Sequence, residues 1–311
     1  SVMLAFATPL MSVMPDEGII KLEKPIEVLF EGADLTKYFP NSKPCMIDFN
    51  IKESFAYLFV GHWMQGNMGE DRKNVNLLVK AFYETFKNKK KQPALILKTS
   101  ETTTSYTDRD IILNKILQIK KTVNSKNLPN IYLLHGDFSD EEMNSLYNHP
   151  KIKAMVSLTK GEGFGRPLLE FSLTKKPIIT TGWSGHIDFL KPEFTTLLPG
   201  ELKQVHPSVV NDWIIKESSW FNPDHGHIGH HLKNMFENYK EYVDGGKRQA
   251  YFSKNNFSWE QMRDKLGELF ESNIPKIAQQ VQLQLPKLKK VGEQTPELPK
   301  LKLPKLKKVN G

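Results

Sequence analysis

The chain reads Ala154-Met155-Val156-Ser157-Leu158 and, after three intervening residues, Glu162-Gly163-Phe164-Gly165-Arg166-Pro167-Leu168-Leu169-Glu170. The first run predicts a short buried strand. The two glycines predict a tight turn, and Pro167 suits the first turn of a helix over about 167–174. Strand, glycine-rich loop and helix together form the unit with which α/β proteins hold phosphate. Glu162 and Glu170 stand eight positions apart across that loop. Carboxylates repel phosphate, so they predict a ligand that also bears hydroxyls.

Outward from this unit the same alternation repeats. Strands are predicted at 56–61, 94–98, 131–135 and 177–181, and helices at 75–89 and 108–123. Ser139 with Glu142 three residues on forms a capping-box pattern that opens another helix. Helices near 207–218, 226–241 and 259–271 close the pattern. Repeated β-α units predict an α/β fold, a Rossmann-like open parallel sheet with helices on both faces. Residues 1–50 do not fit that repeat. A strand at 26–30 followed by a polar segment with Pro40 and Pro44 predicts the remnant of another domain and a linker.

Composition sets the class. With 311 residues, 39% apolar and a quarter charged, the chain is expected to be soluble and globular. A single cysteine, Cys45, rules out an internal disulfide and predicts a reducing, cytoplasmic setting. No apolar run approaches the roughly 20 residues of a membrane-spanning helix. Val2 to Met14 lacks a basic leader and is interrupted by Pro9, so it reads as part of a domain. The initial serine predicts a processed or partial product.

The net charge of +8 is concentrated in residues 273–311, where nine lysines face Glu293 and Glu297. The remainder is nearly neutral, which argues against a nucleic-acid protein. In the tail, Leu285–Val291 recurs as Leu303–Val309. Repeated prolines and alternating lysines predict a disordered tether, with weak contact to an acidic membrane or polyanion as the second reading.

The order of motifs resembles the C-terminal, nucleotide-sugar-binding half of GT-B glycosyltransferases, particularly glycosyltransferase family 4. The carrying segments are VLFEGADLTKYFP at 28–40, FVGHW at 59–63, RKNVNLLVKAF at 72–82, YLLHGDFSDEEMNSLYNHP at 132–150, SLTKGEGFGRPLLEFSLTKKPII at 157–179 and FSWEQM at 257–262. The Glu-x7-Glu element around Gly-Phe-Gly is the specific part. The resemblance implies a nucleotide-sugar-binding domain over 51–272 and transfer of a sugar, with retention, from a nucleoside-diphosphate sugar to an acceptor (glycan, lipid or protein). It implies no cofactor and no required metal.

It also implies roles. Glu162 would contact hydroxyls of the donor sugar, and Glu170 would grip the ribose diol through charge-assisted bonds. Lys73, with Arg72, would meet the diphosphate. N–H groups of Phe164 and Gly165, beside Gly163 at the helix mouth, would stabilise the leaving group. Lys98 would add charge, and His135 would lie at the nucleobase pocket. Where the family commonly has an arginine after the first strand's glycine, this chain has His62, read either as a weaker phosphate contact or as a strand cap. The rival from another class is a non-catalytic module that binds a sugar nucleotide or a glycan. Glycoside hydrolysis fits poorly, because the phosphate-type loop has no role in it. The histidines of 225–231 read as a solvated helix start before they read as a metal site. Trp183 lines the donor cleft or packs, and Trp259 is expected to anchor the last helix.

Overall fold

The computed structural model describes residues 27–41, 50–64, 66–212 and 214–273. The tail beyond 273 and the expectations placed on it lie outside the described residues, as do Cys45 and Val2 to Met14.

Six parallel strands form the sheet: β1 (Ala56–Val60), β2 (Ala94–Lys98), β3 (Ile131–Leu134), β4 (Ile152–Ser157), β5 (Ile178–Thr181) and β6 (Thr196–Leu198), in the order β3-β2-β1-β4-β5-β6. This is the expected Rossmann-like α/β arrangement. Helices α1 (Val75–Phe86), α2 (Tyr106–Lys121), α3 (Asp140–Asn148) and α4 (Arg166–Ser172) connect the strands. Alternation along the strands divides the core. Tyr57 and Phe59 of β1 face one cluster with Phe82, Phe86 and Ile112, while Ala56 and Leu58 face the other with Tyr147, Leu169 and Phe171. Both faces are therefore buried, as a parallel sheet requires. The strand order reverses between β1 and β4, so the loops leaving their C-terminal ends part and leave a crevice there.

Three sequence expectations fail, each for a physical reason. Residues 207–218 are not a helix. A short 3-10 turn at Pro207–Val209 sits inside an antiparallel arm made of β7 (Gly200–Gln204) and β8 (Ser219–Pro223). All five residues of β7 are exposed, so no buried stripe distinguished strand from helix. Residues 27–30 carry no strand; the nearest pairing is a single bridge between Ala33 and Ser258.

The third failure is a missed helix. The 226–241 prediction covers α5 (His225–Glu237) but ends across a break at Asn238, and α6 (Tyr239–Asn256) follows it. The pair Gly245-Gly246 reads as a helix breaker. It serves close packing instead: a Cβ on Gly246 would lie 2.7 Å from the Lys175 carbonyl oxygen. Gly246→Ala is therefore expected to cost about 1–3 kcal/mol of stability, measured by urea unfolding. An unchanged midpoint would show that α6 can retreat freely.

The last helix is α7 (Trp259–Asn273). Its anchor is Phe257, whose ring meets Phe30, Phe189 and Phe164, rather than Trp259, which is 53% exposed. Residues 27–41 lie on the domain. Ala33 exchanges backbone bonds with Phe257 and Trp259, the Tyr38 hydroxyl donates to Asp140 at 2.7 Å, and the Asn41 N–H donates to Asn148.

Candidate functional site

Loops after β1 and β4 meet at the crevice. Asp71 fixes the first by accepting the Val75 N–H at 2.9 Å and the Asn76 side-chain amide at 3.2 Å. That caps α1 from outside the helix, since Asn74 is left-handed with φ 57° and caps nothing itself. The Lys160 N–H donates to the Arg72 carbonyl, and the Lys160 ammonium donates to the Gly69 carbonyl. The two loops are thus stitched together around Arg72 and Lys73.

At the seam, Lys73 Nζ meets Glu162 Oε1 at 2.5 Å, and both side chains are largely buried. Arg72 stands 3.7 Å from Glu162 Oε2 and donates to the Gly161 carbonyl. Burial pushes the Glu162 carboxyl up, but the neighbouring Lys73 and Arg72 charges outweigh it and hold the group below its ordinary range. Burial pulls Lys73 down from its usual value. An ammonium carries three N–H donors, so one bond to Glu162 leaves two for another anion.

The glycine loop is clasped from behind. Ser184 Oγ donates to the Glu162 carbonyl and accepts its N–H, and the Gly185 N–H donates to the same carbonyl. Gly165 takes φ +93°, where a Cβ would press to 3.1 Å from His186, so glycine is required. His186 is fully buried and neutral, because burial lowers its pKa, and its Nε2–H donates to the Thr181 carbonyl at 2.6 Å. Among the described residues no backbone group accepts the N–H groups of Gly163, Phe164 and Gly165. The Phe164 ring points the other way, into the core against Phe189.

Helix α4 has only seven residues, which limits the dipole expected at its mouth. Positive charge here comes chiefly from Lys73 and Arg72. One turn into α4, Glu170 is buried. Its Oε2 accepts the Tyr147 hydroxyl at 3.1 Å and its Oε1 the Arg166 guanidinium at 3.2 Å. Burial raises its pKa, with Arg166 opposing. Sequence reasoning missed both partners. The i,i+4 spacing of Arg166 and Glu170 was a usable signal; Tyr147, on another helix, offered none. A cavity of about 230 Å³ beside Glu170 is lined by Tyr38, Asp140, Arg166 and Trp259.

The remaining predicted residues each engage partners of their own. His62 Nδ1 lies 3.2 Å from Ser100 Oγ, tying the loop after β1 to the loop after β2. Lys98 donates to the Gly136 carbonyl at 2.6 Å and covers the Phe138 ring. His135 is buried against Asp108, with 2.9 Å between Nε2 and Oδ2. Trp183 stacks on Phe221 of the arm, centroids 6.2 Å apart. The Asp224 side chain caps α5 by accepting the Gly226 N–H, and among the described residues no group of three His, Cys, Asp or Glu is arranged for a metal.

Asp108 carries a stability prediction. Burial alone would raise its pKa, but N–H bonds from Glu101 and Thr102 and the His135 bond hold it at about 2. Its folded value lies below its unfolded one, so its stabilisation is present above about pH 4 and lost as pH falls toward 2, a contribution of about 2 kcal/mol. Asp108→Asn should flatten the acid limb of stability against pH between about 2 and 5. An unchanged limb would show that the bonds do not persist in solution.

No protein-family model and no curated protein matches the sequence. Solved structures do match the fold. Sucrose-phosphate synthase from Thermosynechococcus elongatus superposes with TM-score 0.55 at 15% identity, over 86% of this chain and 56% of that one. The C-terminal domain of the glycosyl transferase group 1 family protein LpcC from Francisella tularensis gives 0.51 at 14%, over 73% of this chain and 100% of that domain. Anabaena HepE, solved with UDP-glucose, gives 0.52 at 12%, over 79% and 57%. The fold is that of the C-terminal domain of GT-B glycosyltransferases. The chain spans a little over half the length of the synthase and of HepE. No described helix is long and apolar enough to cross a membrane.

Proposed function

We propose that this chain holds a nucleoside-diphosphate sugar and serves the transfer of its sugar, with retention, to an acceptor hydroxyl on a glycan, lipid or protein. The observation that carries the reading is the buried Lys73–Glu162 pair beneath the glycine loop, with Glu170 one helical turn beyond. The anomeric C–O bond breaks, its electron pair moves to the β-phosphate oxygen, and the acceptor oxygen bonds to the anomeric carbon. The acceptor proton leaves with the diphosphate. Lys73, Arg72 and the N–H groups of the loop meet the charge that grows on that oxygen. Glu162 accepts sugar hydroxyls while keeping Lys73 oriented, and Glu170 takes the ribose diol once Arg166, whose side chain is 66% exposed, swings aside. The likeness to HepE, solved with UDP-glucose, supports this donor class.

With two cations at the phosphate position, no metal is required for binding. UDP, GDP or ADP at saturating concentration is expected to raise Tm, by an amount EDTA leaves unchanged. No shift with any of the three sinks the donor assignment; a shift abolished by EDTA sinks the metal-free part. The engagement of His62 with Ser100 favours the rival of a module that binds without turnover. Release of nucleoside diphosphate from a bound sugar nucleotide separates the two.

A further inference from the structure

A cleft of about 770 Å³ lies between the loop after β1, the loop after β2 and the β7–β8 arm. Arg72 lines it and also reaches Glu162, so the cleft adjoins the place proposed for the donor sugar. Its outer wall is fixed rather than loose. Ser208 of the arm donates to Glu70 at 2.8 Å, and the Phe221 N–H donates to the Lys160 carbonyl at 3.1 Å.

The lining indicates the ligand's chemistry. Its lining charges balance: Arg72 and Lys115 are offset by Glu70 and Glu101, with Lys115 paired to Glu101 at 2.6 Å. Little positive charge remains for an anion, which needs charge-assisted donors. Between these pairs, Val209, Val210 and the half-buried Trp220 present apolar surface beside the polar Thr102 and Ser208. A pyranose ring, with C–H faces and a hydroxyl rim, matches that mixture.

We propose that this cleft binds a neutral saccharide acceptor, so that the arm, carried on the donor domain itself, selects what receives the sugar. This rests on the donor reading above. The test titrates maltotetraose, cellotetraose and N-acetylchitotetraose into the full chain, with and without saturating UDP, GDP or ADP. At least one tetrasaccharide should bind. Trp220→Ala and Val210→Glu should each weaken it at least tenfold while leaving the nucleotide-induced rise in Tm unchanged. Val210 is exposed, so the second variant keeps the test valid if loss of Trp220 disturbs the arm. If no tetrasaccharide binds while a nucleotide still raises Tm, the acceptor cleft is wrong and the donor reading stands. Binding that survives both substitutions overturns it equally. Failure of every nucleotide overturns the donor reading and the acceptor assignment with it.

Discussion

Lys73→Ala is expected to lower the unfolding free energy by about 3–5 kcal/mol, the usual cost of stranding one member of a buried ion pair. Glu162 is only 11% exposed, and Arg72, 3.7 Å away, offsets part of the loss. Replacing both partners, Lys73→Met with Glu162→Gln, should recover most of the stability, because neither side chain then needs a counter-charge. Urea unfolding of the parent, Lys73→Met, Glu162→Gln and the double variant gives the coupling directly. The double variant should fold and fail to bind nucleotide. That outcome separates the pair's structural cost from its binding role, which the single substitution alone cannot do. A Lys73→Ala protein as stable as the parent would mean that the pair is solvated in solution.

Glu170→Ala is expected to remove nearly all of the stabilisation that a nucleoside diphosphate confers. A ligand at a hundred times its Kd stabilises by about 2.7 kcal/mol. Hydrogen bonds to a charged group contribute about 1.5–3 kcal/mol each, so losing both bonds to the ribose diol, about 3 kcal/mol or more, weakens binding by on the order of a hundredfold or more. Arg166→Ala should act in the opposite sense on access, since it frees Oε1, while removing the charge that opposes the burial-raised pKa of Glu170. The variant should therefore lose affinity at a higher pH than the parent as pH falls, because a carboxyl whose folded pKa is raised protonates earlier. A Glu170→Ala protein that keeps the full nucleotide shift would place the ribose elsewhere.

Five of the six strands were legible because each is a short apolar run with turn residues on either side, as in Ala94–Lys98 and Ile131–Leu134, whereas the three-residue β6 offered no such run. The capping box at Ser139 was legible because it is a local pairing, and both of its bonds form. What escaped depends on contacts distant in sequence. The exposed arm has no periodicity of burial. Gly246 belongs inside a helix only because the Lys175 carbonyl lies against it.

The site divides the same way. Lys73 and Glu162 were named from motif order, and the fold brings them to 2.5 Å across 89 residues of sequence. His135 was named from the resemblance, at the expected nucleobase pocket, and its Nε2 stands against Asp108, a residue with no motif to announce it. Phe164 was valued for its N–H, and its side chain proves to be part of the core.

The central claim is that the Gly163–Gly165 loop, Lys73 and Glu170 together hold a nucleoside diphosphate. A crystal structure with whichever of UDP, GDP or ADP raises Tm most tests it directly. The account predicts the β-phosphate within hydrogen-bonding distance of Lys73 Nζ and the N–H groups of Phe164 and Gly165. It also predicts the ribose diol on Glu170, with Arg166 turned away. A nucleotide bound elsewhere, or with its ribose clear of Glu170 and Arg166 still on Oε1, would contradict it.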